Sequence, residues 1–206
     1  MITKILLVRH GKSVAQEGDI HIGTTDYHLC EEGYRQAEKL ANRLKDIKID
    51  EIYSSPLIRA KETVQPISEI LDKKIKTEED LKEIYMGKWE NTPWTKLREK
   101  YPETVKKIEE TEYYIDMEGQ EETVDVAKRM VNVITKIAKD NSGKTIVIAS
   151  HAVAIRTFLC AILNIPFKQT KSKIGDINNT SITFIDYDNI TNKFKVLRTN
   201  DNSHNI

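Results

Sequence analysis

The sequence predicts an α/β protein built on a mostly parallel sheet, and three observations carry that reading. Two apolar runs, Ile5-Leu6-Leu7-Val8 and Thr145-Ile146-Val147-Ile148-Ala149, have no polar break, as strands buried on both faces do. Segments with apolar residues at helical spacing lie between them. Both runs end abruptly in the same chemistry, Arg9-His10-Gly11 and Ser150-His151-Ala152. Ligands in open α/β sheets gather at the carboxyl ends of such strands, which puts both histidines where chemistry is expected. Gly11 allows a tight turn or a close backbone approach. The plainer reading of each strand end is a pair of solvated polar residues.

After the first strand, residues 12–29 carry Gly18, Asp19, Gly23 and Asp26 without apolar periodicity, the pattern of a long loop. A helix follows, with Cys30 at its N-cap and Ala37, Leu40, Ala41 and Leu44 on one stripe. Glu31 and Glu32 near its start and Arg43 and Lys45 near its end suit the macrodipole. Asp50 to Ser54 reads as a short strand. Ser55-Pro56 then turns into a helix carrying Arg59, Thr63, Val64, Ile67 and Leu71, which Pro66 is expected to kink or divide. Lys74-Ile75-Lys76 is a brief strand.

Residues 81–120 are irregular and hold Glu83, both tryptophans (Trp89 and Trp94) and half of the eight tyrosines, Tyr113 and Tyr114 among them. They read as an excursion over the site, a lid, whose aromatics either contact substrate or only pack. Glu121 to Lys139 has the stripe of a long amphipathic helix. The second buried strand leads into an apolar helix with Val153, Ile155, Phe158 and Leu159. Residues 181–185 and 194–197 form a closing hairpin around Asp188-Asn189, and the polar tail from Asn200 is expected to fray.

The chain has 206 residues, enough for one sizeable domain, and 32 basic residues balance 32 acidic ones. That balance points to no nucleic-acid or anionic-membrane partner. No stretch is long enough to span a bilayer, the N-terminus has no signal-peptide pattern, and Cys30 and Cys160 are too few for a disulfide framework. These features predict a cytoplasmic protein, with monomer and homodimer both open. His21, His28 and His204 lack metal-ligand spacing.

If the two strand ends sit side by side, His10 and His151 flanked by Arg9 and Arg59 make a strongly positive pocket. Arginine's planar fork suits phosphate oxygens, and a neutral imidazole is a competent nucleophile. In these blocks the sequence resembles the histidine phosphatase superfamily, the phosphoglycerate mutase-like family. The matching pieces are Leu7 to Ser13, Asp26 with Leu29, Glu32-Gly33, Gln36-Ala37, Ile52 to Leu57 with Arg59-Ala60 and Thr63, Leu81-Lys82-Glu83, Gly87, Trp89-Glu90 and Ser150-His151, in the family's order.

The resemblance implies a three-layer α/β/α sandwich over residues 1–206, one domain with residues 81–120 as its lid. It implies phosphomonoester hydrolysis on a small phosphorylated metabolite, with His10 as the nucleophile that becomes phosphohistidine. Arg9, Arg59 and His151 hold the phosphoryl oxygens, and Glu83 moves the proton. Gln16, Gly23 and Ala152 are implied as substrate contacts. No cofactor and no metal are implied, because two guanidiniums and an imidazolium supply the charge. The runner-up activity is a phosphoglycerate mutase primed by a bisphosphoglycerate. A binding module on the same fold that has lost its chemistry is the reading from another class.

Departures from the family pattern fall on substrate contacts. Lys12-Ser13 replaces Glu-Thr, Gln16 stands for an asparagine, and Ile20 and Ile22 stand for an arginine and a glutamine. Ala152 replaces a glycine and would be strained if that position needs a positive φ. Lys12 and Lys88 hint at a second anionic group on the substrate.

Overall fold

The computed structural model describes residues 1–112 and 118–205. The chain begins with β1 (Ile2–Arg9), α1 (Val14–Glu17), β2 (Ile20–His21) and α2 (Glu31–Leu44). Next come β3 (Glu51–Ser54), α3 (Ile58–Leu71), β4 (Ile75–Thr77), β5 (Thr92–Pro93), α4 (Trp94–Lys100) and α5 (Pro102–Thr111). The chain closes with α6 (Thr123–Asp140), β6 (Thr145–Ser150), α7 (Ala152–Ile162), α8 (Thr170–Lys173), β7 (Ile182–Asp188) and β8 (Lys193–Asp201).

Six strands form one sheet in the order β4-β3-β6-β1-β7-β8. The first four run parallel, β7 adds antiparallel to β1, and β8 adds antiparallel to β7. The alternation of side chains along β1 divides the core. Leu6 and Val8 pack with Leu40, Leu44 and Val64 from α2 and α3 on one face. Ile5 and Leu7 pack with Met130, Ile134, Ile155 and Phe158 from α6 and α7 on the other. This is the predicted three-layer arrangement, and it explains why both central strands are apolar without a break.

Four local expectations are corrected. Residues 12–29 are not without structure: Ser13 and Gln16 close a capping box on α1, and β2 pairs with β5. Pro66 does not divide α3, which runs unbroken from Ile58 to Leu71. The proline removes only the amide hydrogen that would reach the Glu62 carbonyl, and one such loss is carried by the packing of Thr63, Val64 and Ile67. The polar tail is not frayed over its described part. β8 reaches Asp201, whose carboxylate takes both Arg43 terminal nitrogens at 2.9 and 2.7 Å and the Arg198 guanidinium at 2.6 Å. The hairpin turn falls after Asp188, as expected, but both strands run longer than the apolar pattern indicated.

Candidate active site

The parallel pairing of β1 with β6 sets Arg9 opposite Ser150, and the His10 amide donates to the Ser150 carbonyl at 3.0 Å. The two histidines that follow therefore meet at one sheet edge, with ring centroids 5.0 Å apart. Both are buried. His10 Nδ1 lies 2.7 Å from the Gly11 carbonyl. A carbonyl only accepts, so Nδ1 carries the proton and Nε2 keeps its lone pair. Burial, then the Arg59 and Arg9 charges, hold the His10 pKa well below the ordinary imidazole value, so the ring is neutral.

His151 Nε2 meets the Ser55 hydroxyl at 2.8 Å, while its Nδ1 is buried without a hydrogen-bond partner. The pKa of His151 is also held well below the ordinary value, by burial first and then by Arg59 and His10. The site thus holds two neutral imidazoles, which corrects the expected imidazolium. Its formal positive charge comes from the guanidiniums.

Arg59 reaches the site from the first turn of α3. Its Nη1 and Nη2 donate to the carbonyls of Thr25 and Gly23 at 2.9 and 2.6 Å, and Nε is buried without a partner. The Arg59 carbonyl in turn accepts from the Thr63 hydroxyl, which accepts from the Gly11 amide. One threonine therefore ties the backbone after the nucleophile to the helix that carries the cation. Arg9 Nη1 donates to the Ile177 carbonyl at 2.6 Å.

Glu83 is buried beside the start of α7. Its carboxylate accepts the amides of Ile84 and Ala154 on Oε1 and of Val153 on Oε2, at 3.0, 2.9 and 3.1 Å. The Val153 and Ala154 amides are orphans of the first turn of α7, which a carboxylate satisfies well. Ala152 opens the same helix and has no positive φ, so alanine is not strained there.

A cavity of about 250 Å³ opens in front of these groups. Arg9, His10, Arg59, Glu83 and Ala152 line it, together with Gln16. The glutamine's longer arm is used locally: its amide oxygen closes the capping box with the Ser13 amide and meets Asn179 Nδ2 at 3.2 Å. Gly23 is not on the lining. Its carbonyl accepts from Arg59 and its amide donates to Glu90, and a Cβ there would come within 2.0 Å of the Ile84 carbonyl. The aromatics of residues 81–120 divide. Trp89 is buried and stacks on Tyr101 with centroids 5.0 Å apart, whereas Trp94 faces the cavity. Tyr113 and Tyr114 lie outside the described residues. Lys12 and Lys88 pair with Glu32 and Glu118 and do not line the cavity.

Four residues that matter here were not singled out by chemistry in the sequence. Glu90 accepts the amides of Gly23 and Thr24 and the Thr25 hydroxyl, folding the loop whose carbonyls hold Arg59. Burial alone would raise its pKa, but the Thr25 hydroxyl and the backbone amides outweigh that and lower it. Asn179 donates to the His10 carbonyl at 2.9 Å. Arg129 on α6 donates to the carbonyls of Asp80, Lys82 and Glu83, gripping the segment that presents the acid. Arg156, on the lining, was legible as a lone cation on an otherwise apolar helix. Among the described residues, no group of three or more His, Cys, Asp or Glu is placed to hold a metal ion, and no helix is long and apolar enough to cross a membrane.

Comparison with known proteins places these features among relatives. Residues 5–202 match the model of the histidine phosphatase superfamily, branch 1. Phosphoserine phosphatase 1 of Hydrogenobacter thermophilus is 32% identical over 164 residues, covering 80% of this chain and 78% of that protein. The solved structure of Bacillus stearothermophilus YhfR superposes with a TM-score of 0.90 at 28% identity, covering 98% of each chain. A phosphoserine phosphatase of Entamoeba histolytica in complex with 3-phosphoglyceric acid gives a TM-score of 0.83 at 28% identity, covering 99% of this chain and all of that one.

Proposed function

The chain belongs to the histidine phosphatase superfamily and is a phosphatase of that kind; we propose that it hydrolyses phosphomonoesters of small metabolites through a phosphohistidine at His10. The observation that carries the proposal is the state of His10. It is a neutral imidazole whose Nδ1 proton is committed to the Gly11 carbonyl, which leaves Nε2 as the nucleophile.

In the first step Nε2 attacks phosphorus in line, and the P–O bond to the leaving alcohol breaks. Charge on the equatorial oxygens is met by Arg9, by the unpartnered Nε of Arg59 and by Nδ1 of His151. A donor at His151 Nδ1 requires Ser55, which accepts the Leu57 amide, to donate its hydroxyl to His151 Nε2. Glu83 protonates the departing oxygen. In the second step Glu83 takes a proton from water, whose oxygen attacks the phosphohistidine, releasing phosphate and restoring His10. The reading needs no metal, because positioned donors meet the charge. Gln16 and Ala152 border the phosphoryl end, while Gly23 acts through Arg59. The described part of the 81–120 stretch serves as the lid; residues 113–117 lie outside the described residues. Cytoplasmic residence is part of the same reading, supported by two buried free cysteines.

The experiment is rapid quench with p-nitrophenyl phosphate followed by mass spectrometry. Acid-labile phosphate on His10, absent from a folded His10→Ala variant that no longer turns over, is the expected result. A His10→Ala protein with unchanged turnover overturns the proposal. Isomerisation of 3-phosphoglycerate outrunning phosphate release would instead select the mutase.

A further inference from the structure

The peptide that joins His10 to Gly11 is gripped at both ends. Its amide donates to the Thr63 hydroxyl at 2.8 Å. Its carbonyl, that of His10, accepts from Asn179 Nδ2 at 2.9 Å and from the Thr180 amide at 3.4 Å, and the Arg9 carbonyl accepts the same Thr180 amide at 3.0 Å. The next carbonyl along, that of Gly11, is the one that holds the proton of His10 Nδ1. The tilt of this one peptide therefore decides where the Gly11 carbonyl stands, and with it which ring nitrogen keeps its lone pair.

Asn179 also reaches forward. Its Nδ2 donates to Gln16 Oε1 at 3.2 Å, and its Oδ1 accepts from Gln16 Nε2 at 3.4 Å. Gln16 lines the cavity, so one side-chain amide spans the nucleophile's backbone and the phosphoryl end.

The backbone that delivers Asn179 is strained. Thr180 is fully buried and has a φ of 55°, the left-handed region that a β-branched residue rarely enters. The single turn Ser203–Asn205, which follows β8, pins it there. Asn205 Nδ2 donates to Thr180 Oγ1 at 2.9 Å and to the Asn179 carbonyl at 3.4 Å. His204 Nδ1 lies 3.3 Å from Arg43 Nη1, which can only donate, so the ring proton sits on Nε2 and is given to Thr180 Oγ1 at 3.2 Å. The Thr180 hydroxyl in turn donates to the Asn179 carbonyl at 2.8 Å.

We propose that Asn179 is a positioning residue for the nucleophile, and that Thr180, pinned by the 203–205 turn, aims it. Without the Asn179 amide the His10–Gly11 peptide tilts, the Gly11 carbonyl leaves Nδ1, and the ring proton moves to Nε2, the attacking atom. The inference rests on the phosphatase reading for the reaction it serves, but not for the placement of the ring.

The test pairs rapid-quench phosphorylation of His10 by p-nitrophenyl phosphate with nitrogen-15 NMR of the histidine rings, His10 being assigned by its loss in His10→Ala. In the wild type His10 is the Nδ1–H tautomer. Asn179→Ala lowers the phosphorylation rate at saturating ester by about 10- to 100-fold, the range for misplacing a reacting group by about 1 Å, and leaves the half-saturating concentration within about threefold. The Nε2–H tautomer of His10 appears in the same variant. Asn179→Asp keeps the volume but turns an acceptor toward two acceptors, and it loses at least as much. Asn205→Ala costs about three- to tenfold in the wild type and less than about twofold in Thr180→Gly, since glycine holds a positive φ without the pin.

A folded Asn179→Ala with the wild-type rate, a half-saturating concentration that rises at constant rate, or a His10 tautomer unchanged in both Asn179 variants overturns the positioning role. Equal losses from Asn205→Ala on both backgrounds overturn the part given to Thr180. If Asn179→Ala does not fold, Asn179→Asp decides by the same two readouts. If the wild type forms no phosphohistidine, the phosphatase reading fails separately, and the tautomer in the Asn179 variants still decides the inference.

Discussion

Replacing Glu83 by glutamine separates proton transfer from phosphoryl binding. The carboxylate accepts three amides, two on Oε1 and one on Oε2. A glutamine keeps the first two by placing its carbonyl oxygen at Oε1, but its NH₂ then faces the Val153 amide, donor against donor. An unsatisfied buried donor costs about 1–3 kcal/mol, so thermal stability falls without loss of the fold. The chemical loss is larger and depends on the ester. Proton delivery contributes about 10²–10⁴-fold, or about 3–5 kcal/mol at 1.36 kcal/mol per decade, when the leaving group is an alkoxide. A p-nitrophenolate leaves without a proton, so formation of the phosphohistidine from p-nitrophenyl phosphate falls by less than about tenfold. Hydrolysis of that intermediate still needs Glu83 as base. Stopped flow with Glu83→Gln and p-nitrophenyl phosphate therefore gives a burst of one nitrophenol per site followed by slow turnover. Single-turnover quench with an alkyl phosphate gives no comparable burst. If the phosphorylation rate falls by the same factor for both esters in folded protein, Glu83 is not the proton donor.

Three further outcomes are expected. Arg129→Met loosens the backbone around Glu83, and because misplacing a catalytic group by about 1 Å costs about 10²-fold, kcat falls by about 10- to 100-fold while KM changes little. Steady-state kinetics in which KM rises at constant kcat would contradict the positioning role. Arg43→Met leaves the buried Asp201 carboxylate short of its main partner, which costs about 3 kcal/mol and lowers Tm by about 6–12 °C by scanning calorimetry; a change under about 2 °C would mean the tail is not anchored there. Burial depresses the pKa of His21 to about 4, so protons bind the unfolded chain first as pH falls below 6.5. Its stabilising contribution is complete above that pH and about 3 kcal/mol is lost on the way down to pH 4, a loss that urea titrations should find reduced in His21→Phe.

How much could be read before the structure depended on whether a residue's partner was near in sequence. The β1 and β6 runs announce themselves, since burial on both faces leaves an unbroken apolar string and the chemistry sits at its end. Pairing of the two strands then brings His10 and His151 together, and Arg59 follows from the turn after β3. What local pattern could not reveal was who holds these groups in place. The 12–29 segment looks structureless because its order comes from Glu90, about seventy positions later, gathering three successive residues. The tail looks frayed because its composition is polar, yet Asp201 finds Arg43 across the fold. Lys12 and Lys88 were visible as cations, but each is taken up by a neighbouring carboxylate.

Burial is what converts these scattered contacts into reactivity. An exposed histidine pair between two arginines would still titrate near neutrality in part, and each protonation would remove a nucleophile. Here burial dominates both shifts, and the arginine charges add to it in the same direction. The cations thus act twice, holding His10 neutral before substrate arrives and meeting the phosphoryl charge afterwards. A dianion entering the cavity offsets those same positive charges, so the influence that keeps His10 unprotonated weakens once phosphate is bound. The acid limb of kcat/KM, which reports the free enzyme, should therefore lie at lower pH than the acid limb of kcat. Full pH profiles of both parameters with p-nitrophenyl phosphate measure this directly, and coincident limbs would mean that the arginines do not set the histidine's charge.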